Sequence, residues 1–376
     1  MPDLATTPPT ENPTLSSLRA RLPRLIADLA ELVAVESPSE DPNATARSAD
    51  AVTALGSRLL GSAPERHGSH LVWSHGETHV LLVGHHDTVW PVGTLARWPF
   101  RVDGDRATGP GCFDMKAGLV QLFHALSELP SLDGVTVVVN GDEEIGSPDS
   151  RVLIERAARG ARAALICEPS ADGALKTARK GIARYRLEIA GRAAHAGLDP
   201  GRGVNAGVEL AHQILAMTGL GDGETTVTPT VLAAGTTENT VPAAAGVAVD
   251  VRAFHAGEFE RVDRAMHGLR PVLAGSRLTV HGGVHRPALP PTASARLYEL
   301  ARSVAAELGL AAPAGVAVGG ASDGNLTAGY GIPTLDGLGP VGGNAHAEGE
   351  WVDLPAMAER AALLAALVDR VLRPRA

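Results

Sequence analysis

The chain has 376 residues, of which 44% are hydrophobic and 20% charged, and its formal net charge is -9. This length and apolar content suit one large or two ordinary domains with real cores and exclude a disordered chain. The negative balance, with aromatic residues at 3%, excludes the basic surface and stacking platforms that a nucleic-acid partner needs.

In chain order, the Pro/Thr-rich residues 1–13 are expected to be disordered. Leu18, Leu22, Leu25, Leu29 and Leu32 keep helical spacing over 15–35, with Pro23 expected to divide the helix, and a second helix is predicted over 44–60. Short apolar runs at 78–84, 135–140 and 163–167 read as buried strands. Helices predicted over 114–128 and 149–158 alternate with them, the grammar of an α/β sheet covered on both faces.

The pattern changes after Gly181. Tyr185, Leu187 and Ile189 alternate with Arg184, Arg186 and Glu188 in a half-exposed strand. A helix (204–217), strands (226–234 and 247–252), a helix (259–273) and a strand (277–281) follow, giving the β-α-β-β-α-β order of a ferredoxin-like unit. The α/β pattern then resumes with a helix (293–308), a strand (315–318), a helix (323–330), a strand (332–338) and a last helix (354–371). The expected domains are 1–181 and 287–376 together, with 182–286 inserted between them.

No apolar run reaches the roughly 20 residues that span a bilayer, and the first residues lack the order of a signal peptide. Two cysteines, Cys112 and Cys167, make no disulfide framework, so a soluble cytoplasmic protein is expected. Of the 33 basic residues only Lys116, Lys176 and Lys180 are lysines.

Five short stretches carry candidate chemistry. In Gly84-His85-His86-Asp87, extended geometry puts His85 and Asp87 on one face and His86 on the other. A metal-ligating imidazole braced by a carboxylate would look like this, and so would a structural pair. In Gly109-Pro110-Gly111-Cys112-Phe113-Asp114, a tight turn brings Asp114 close to a helix start, as a ligand or as an ordinary capping carboxylate. Asp142, Glu143 and Glu144 follow an apolar strand, where adjacent carboxylates repel each other unless a cation neutralises them; a solvated acidic loop is the alternative. Glu168 closes another strand, and His346 lies on a glycine-rich loop before the last helix. Together these oxygen and nitrogen donors suit zinc.

These motifs, with Met115-Lys116-Ala117-Gly118 and Glu168-Pro169, resemble in order and spacing those of the zinc peptidase family of aminoacylase-1 and glutamate carboxypeptidase, nearest its carboxypeptidase G type members. The resemblance covers nearly everything after about residue 15. It implies a mixed sheet flanked by helices and an inserted lid or dimerisation domain. It implies two zinc ions, with cobalt and manganese as alternatives: His85 and Glu168 on one, Glu144 and His346 on the other, Asp114 bridging through a residue followed by a cis peptide bond. Asp87 would orient His85, and Glu143 would be the general base. His195 would reach the substrate carbonyl oxygen across a homodimer, with Asn239 as a second polar contributor. Arg252, Arg286 and the backbone of Gly319 and Gly320 would grip a substrate carboxylate. The implied substrate is an N-acyl amino acid or short peptide with a free C-terminal carboxylate, with no nucleic-acid or membrane partner. An aminoacylase, a dipeptidase and a catalytically silent binding relative stay open, and Lys116 has no assigned role.

Overall fold

The computed structural model describes residues 12–373. These fall into two compact units. One comprises the described residues up to Thr177, Pro291–Ala317 and those from Ser322 onward; the other is Ala178–Pro290 with Val318–Ala321.

The first unit is organised on a six-stranded mixed sheet. Val80–His85 lies between Val135–Asn140 and Ala163–Ile166, all parallel, and Thr334–Leu335 adds a further parallel strand. Val80 and Leu82 pack on one face with Leu25, Leu29, Leu119 and Leu364, while Leu81 and Val83 pack on the other with Ile154 and Leu326. Two covered faces need apolar side chains at successive positions, which is why these strands read as unbroken runs.

Two antiparallel strands, Glu65–His67 and His70–His75, complete the sheet beside Val135–Asn140. They lie where the sequence suggested no element, because three histidines and Ser74 mask the buried Leu71 and Trp73. A smaller sheet joins Arg101–Asp103, Arg106–Thr108, Gly342–Gly343 and Trp351–Asp353, strands too short to leave a periodic signal.

The first predicted helix is divided as expected, into Pro13–Ala20 and Leu22–Val33, and Pro23 sits in the first turn of the second, where its missing N–H costs nothing. Residues 1–11 of the expected disordered tail lie outside the described residues; at its end the expectation fails, because Asn12 caps the first helix by accepting the Thr14 N–H at 3.0 Å. The strand expected over 332–338 shrinks to Thr334–Leu335, with Pro333 before it and a left-handed Gly337 (φ 74°) after it.

In the second unit an antiparallel sheet has the order Thr226–Ala234, Ala244–Ala253, Gly181–Ala190, Arg277–Arg286. Tyr185, Leu187 and Ile189 are buried with Leu210 of helix Ala206–Thr218 and Phe259 and Val262 of helix Ala256–His267. The second of these helices stops six residues short of its predicted end, at Gly268 and ahead of Pro271, neither of which continues a helix well.

Candidate metal centre

Three parallel strands deliver polar residues at their carboxyl ends, where open α/β sheets place their sites. His85 ends Val80–His85, Glu143 and Glu144 follow Val135–Asn140, and Glu168 follows Ala163–Ile166. Asp114 arrives from the turn before helix Ala117–Leu126, with non-helical torsions (φ -110°, ψ 97°) and a cis Asp114–Met115 peptide bond. That helix therefore begins three residues later than the sequence suggested.

Two glycines make this turn possible. Gly111 is left-handed (φ 70°) and lies against Thr88. Gly118 packs so closely that a Cβ would overlap the Cys167 carbonyl oxygen, so the helix bearing the turn rests directly on the strand end bearing Glu168.

His85 Nε2 lies 3.3 Å from Asp114 Oδ1 and 3.5 Å from Glu168 Oε1. His346 Nε2 lies 3.4 Å from the other Asp114 oxygen, Oδ2, and 3.1 Å from Glu144 Oε2. Asp114 thus stands between the two imidazoles, one oxygen toward each. Donor atoms of His85, Asp114 and Glu144 lie within 4.8 Å of one another, as do those of His85, Glu143 and Glu168.

Burial opposes a charged His85, yet hydrogen bonds to Asp114, Asp87 and Glu168 hold its pKa well above the usual imidazole value. For Asp114 the imidazoles of His346 and His85 outweigh burial and keep it ionised far below the ordinary carboxylate range. Hydrogen bonds to Asp114 and Glu144 push His346 up to about 10. Burial raises Glu144 despite its contact with His346.

Asp87 does more than the sequence suggested. His85 Nδ1 is nearer the Asp87 backbone carbonyl (3.0 Å) than its carboxylate (3.4 Å). The carboxylate accepts the backbone N–H of Glu143 at 3.2 Å, that of Glu144 at 3.1 Å, and the Ser39 hydroxyl at 2.6 Å. His86 points away, as extended geometry requires, with Nε2 2.8 Å from the Ser69 carbonyl.

Two contributors escaped sequence reading. Ser39 holds Asp87 from 48 positions away, and the buried Glu350 accepts the Asp114 N–H from 236 positions away. Burial pushes the Glu350 carboxyl up to about 7, against hydrogen bonds from Asp114, Gly111 and Trp90 that favour its anion. Lys116 is also buried, and its Nζ donates to the Val35 carbonyl at 2.7 Å, bracing the turn against the end of helix Leu22–Val33. Burial draws its pKa down to about 8, opposed by Glu350, Glu36 and Asp87.

The remaining predicted residues belong to the second unit. The exposed His195 accepts the N–H groups of Gly197 and Leu198 at Nδ1, both at 3.1 Å, which puts the proton of the neutral ring on Nε2. The Ala196 N–H donates to the Asn239 carbonyl at 2.9 Å, so His195 and Asn239 occupy adjoining segments. Arg252 and Arg286 flank Ile182 in register from neighbouring strands. Arg286 is buried, while Arg252 is held in a two-pronged pair with Asp250 at 2.7 and 3.2 Å. The Gly320 carbonyl accepts from Arg179 at 3.1 Å, and Gly319 and Gly320 are exposed.

The first-unit donor set fits a pair of divalent cations. It combines imidazoles with carboxylates, the donors zinc takes, and Glu144 Oε1 is buried without a hydrogen-bond partner among the described residues. An anionic oxygen left this way is costly unless a cation answers it. His85, Asp114, Glu144, Glu168 and His346 are the residues that would hold such a pair.

No described helix is long and apolar enough to cross a membrane. Carboxypeptidase G2 of Pseudomonas sp. (strain RS-16) is 32% identical over 338 residues, 86% of this chain and 79% of that protein. By structure, the aminopeptidase PepT of Bacillus cereus superposes with a TM-score of 0.73 at 23% identity, covering 94% of this chain and 99% of that one. YXEP of Bacillus subtilis, described as a dinuclear metal binding peptidase of the M20 family, gives a TM-score of 0.64 at 16% identity over 95% and 100% of the two chains. The family model for peptidase family M20/M25/M40 matches residues 81–370, from the strand that ends in His85 to the last helix, and the chain belongs to this family of metal-dependent peptidases.

Proposed function

We propose that the protein is a co-catalytic dizinc amidohydrolase of the carboxypeptidase kind, cleaving the amide bond of an N-acyl amino acid or short peptide with a free C-terminal carboxylate, glutamate being the preferred leaving residue. The observation that carries this reading is the fixed division between Glu143 and Glu144. Asp87 holds both backbone N–H groups, Glu144 faces His346 at 3.1 Å, and Glu143 shares a cluster with His85 and Glu168.

In this reading Glu143 takes the proton of the attacking water and returns it to the leaving amine. Zinc, with cobalt or manganese as substitutes, supplies Lewis acidity toward the scissile carbonyl when bound. His195, with its proton on Nε2, donates to the developing oxyanion, and Asn239 lines the same segment. A homodimer formed through the second unit supplies His195 from a second copy. Arg252 and Arg286, which flank Ile182 from neighbouring strands, are the candidates for the substrate carboxylate, Arg286 being buried and Arg252 also pairing with Asp250. Gly319 and Gly320 are candidates to add backbone N–H donors for the same carboxylate. The free buried thiols Cys112 and Cys167 suit a reducing cytoplasm.

A substrate panel tests this reading. Acyl-glutamates should exceed acetylated amino acids and free-amine dipeptides in kcat/KM, and Arg286→Ala should raise KM for the acyl-glutamate. A panel led by dipeptides, or an unchanged Arg286→Ala, would overturn the substrate assignment.

A further inference from the structure

The buried carboxylate of Glu350 is absent from the ligand set and from the proposed chemistry, yet four N–H donors converge on it. Oε1 accepts the backbone N–H groups of Phe113 at 2.8 Å and Asp114 at 2.9 Å. Oε2 accepts the N–H of Gly111 and the Trp90 indole N–H, both at 3.0 Å. The backbone beside Glu350 reinforces the contact: its carbonyl accepts the Gly109 N–H at 3.3 Å, and Trp351 pairs with Thr108 in antiparallel register.

We infer that Glu350 is a positioning residue that shapes the turn 109–114 before any metal arrives, and so fixes where the Asp114 carboxylate stands between His85 and His346. This rests on the proposed dinuclear reading of the centre. The argument is one of donor counting. Three backbone N–H groups in a buried turn need acceptors, while the turn's own Gly109 and Gly111 carbonyls accept from Cys112 at 3.2 Å and Lys116 at 3.1 Å instead. Two donors converge on each oxygen, so both oxygens must be pure acceptors; a carboxamide in either orientation would aim its NH2 at two N–H groups. Glu350 also lies four residues after His346, so one short segment carries both a candidate ligand and the clamp on the bridging residue.

The test uses the metal-free full-length protein. Wild type, Glu350→Gln and, as a control on the same loop, the exposed Glu348→Gln are titrated with Co2+ while the visible d–d spectrum and the binding constants are recorded. Glu350→Gln should weaken ion binding about 10- to 100-fold and alter the spectrum while its circular dichroism stays native, and Glu348→Gln should match wild type. A folded Glu350→Gln with wild-type affinity and spectrum would overturn the inference. Should that variant fail to fold, hydrogen exchange on wild type decides: the peptide spanning 109–116 should be protected before metal is added, and full exchange there until metal binds overturns the inference. Wild type that binds no ion would refute the dinuclear reading instead, and the exchange measurement would still report on the clamp.

Discussion

Asp87 Oδ2 accepts the backbone N–H of Glu144 at 3.1 Å, and Oδ1 accepts that of Glu143 at 3.2 Å. One carboxylate therefore fixes the direction in which two adjacent glutamates leave the strand end. Asp87→Asn would turn an NH2 toward at least one of these donors. It should lower kcat/KM by about 10- to 100-fold with the fold intact, measured by steady-state kinetics beside circular dichroism.

The two glutamates should fail in different ways. Glu143→Gln is expected to keep its metal content and lose about 100- to 10,000-fold in kcat, because it removes the proton carrier alone. Glu144→Gln should lose metal, since its carboxylate is the one that faces His346 at 3.1 Å. Elemental analysis of dialysed protein beside kcat separates the two, and equal metal loss in both would contradict the division of roles.

Metal removal should cost stability as well as activity. A chelator is expected to abolish hydrolysis reversibly and to lower the unfolding free energy by about 2.7 kcal/mol relative to protein at 100 times the dissociation constant. Unfolding curves with and without added zinc check this, and superimposable curves would contradict it.

Gly118→Ala should be disproportionately harmful for the addition of one methyl. The new Cβ would overlap the Cys167 carbonyl, forcing apart the helix that follows Asp114 and the strand end that bears Glu168. A loss of about 1–3 kcal/mol is expected in urea unfolding, with reduced metal affinity.

Away from the site, the buried Asp28 makes contacts of 2.5 Å with Arg24, 2.6 Å with Arg58 and 2.8 Å with His124. Burial raises its pKa, but Arg58 and His124 outweigh this and hold it below 3.8. A depressed carboxyl contributes stability that is fully present above its unfolded value and is lost as pH falls through the folded one. Asp28→Asn should therefore cost about 2 kcal/mol at neutral pH, less than a fully buried pair because both arginines are partly exposed. The difference from wild type should shrink as pH falls below 3.8. A cost independent of pH would point to packing instead.

The sequence by itself determined the parts whose information is local. The runs at 78–84, 135–140 and 163–167 announce buried strands, and the alternation from Arg184 to Ile189 announces a half-exposed one. Residue type and place at a strand end marked His85, Glu143, Glu144 and Glu168 as candidates before any geometry existed. Gly109, Pro110 and Gly111 likewise signalled a tight turn ahead of Asp114.

Only the tertiary structure decided what depends on distance along the chain. That His346 and His85 meet opposite oxygens of Asp114 requires three segments to converge. The same holds for Lys116, whose partner is the Val35 carbonyl, and for Ser39 and Glu350, whose side chains serve Asp87 and the backbone of Asp114. A hydrogen bond between residues 236 positions apart leaves no periodicity or spacing to read, because its energy depends on the folded position of both ends and on neither neighbourhood in sequence.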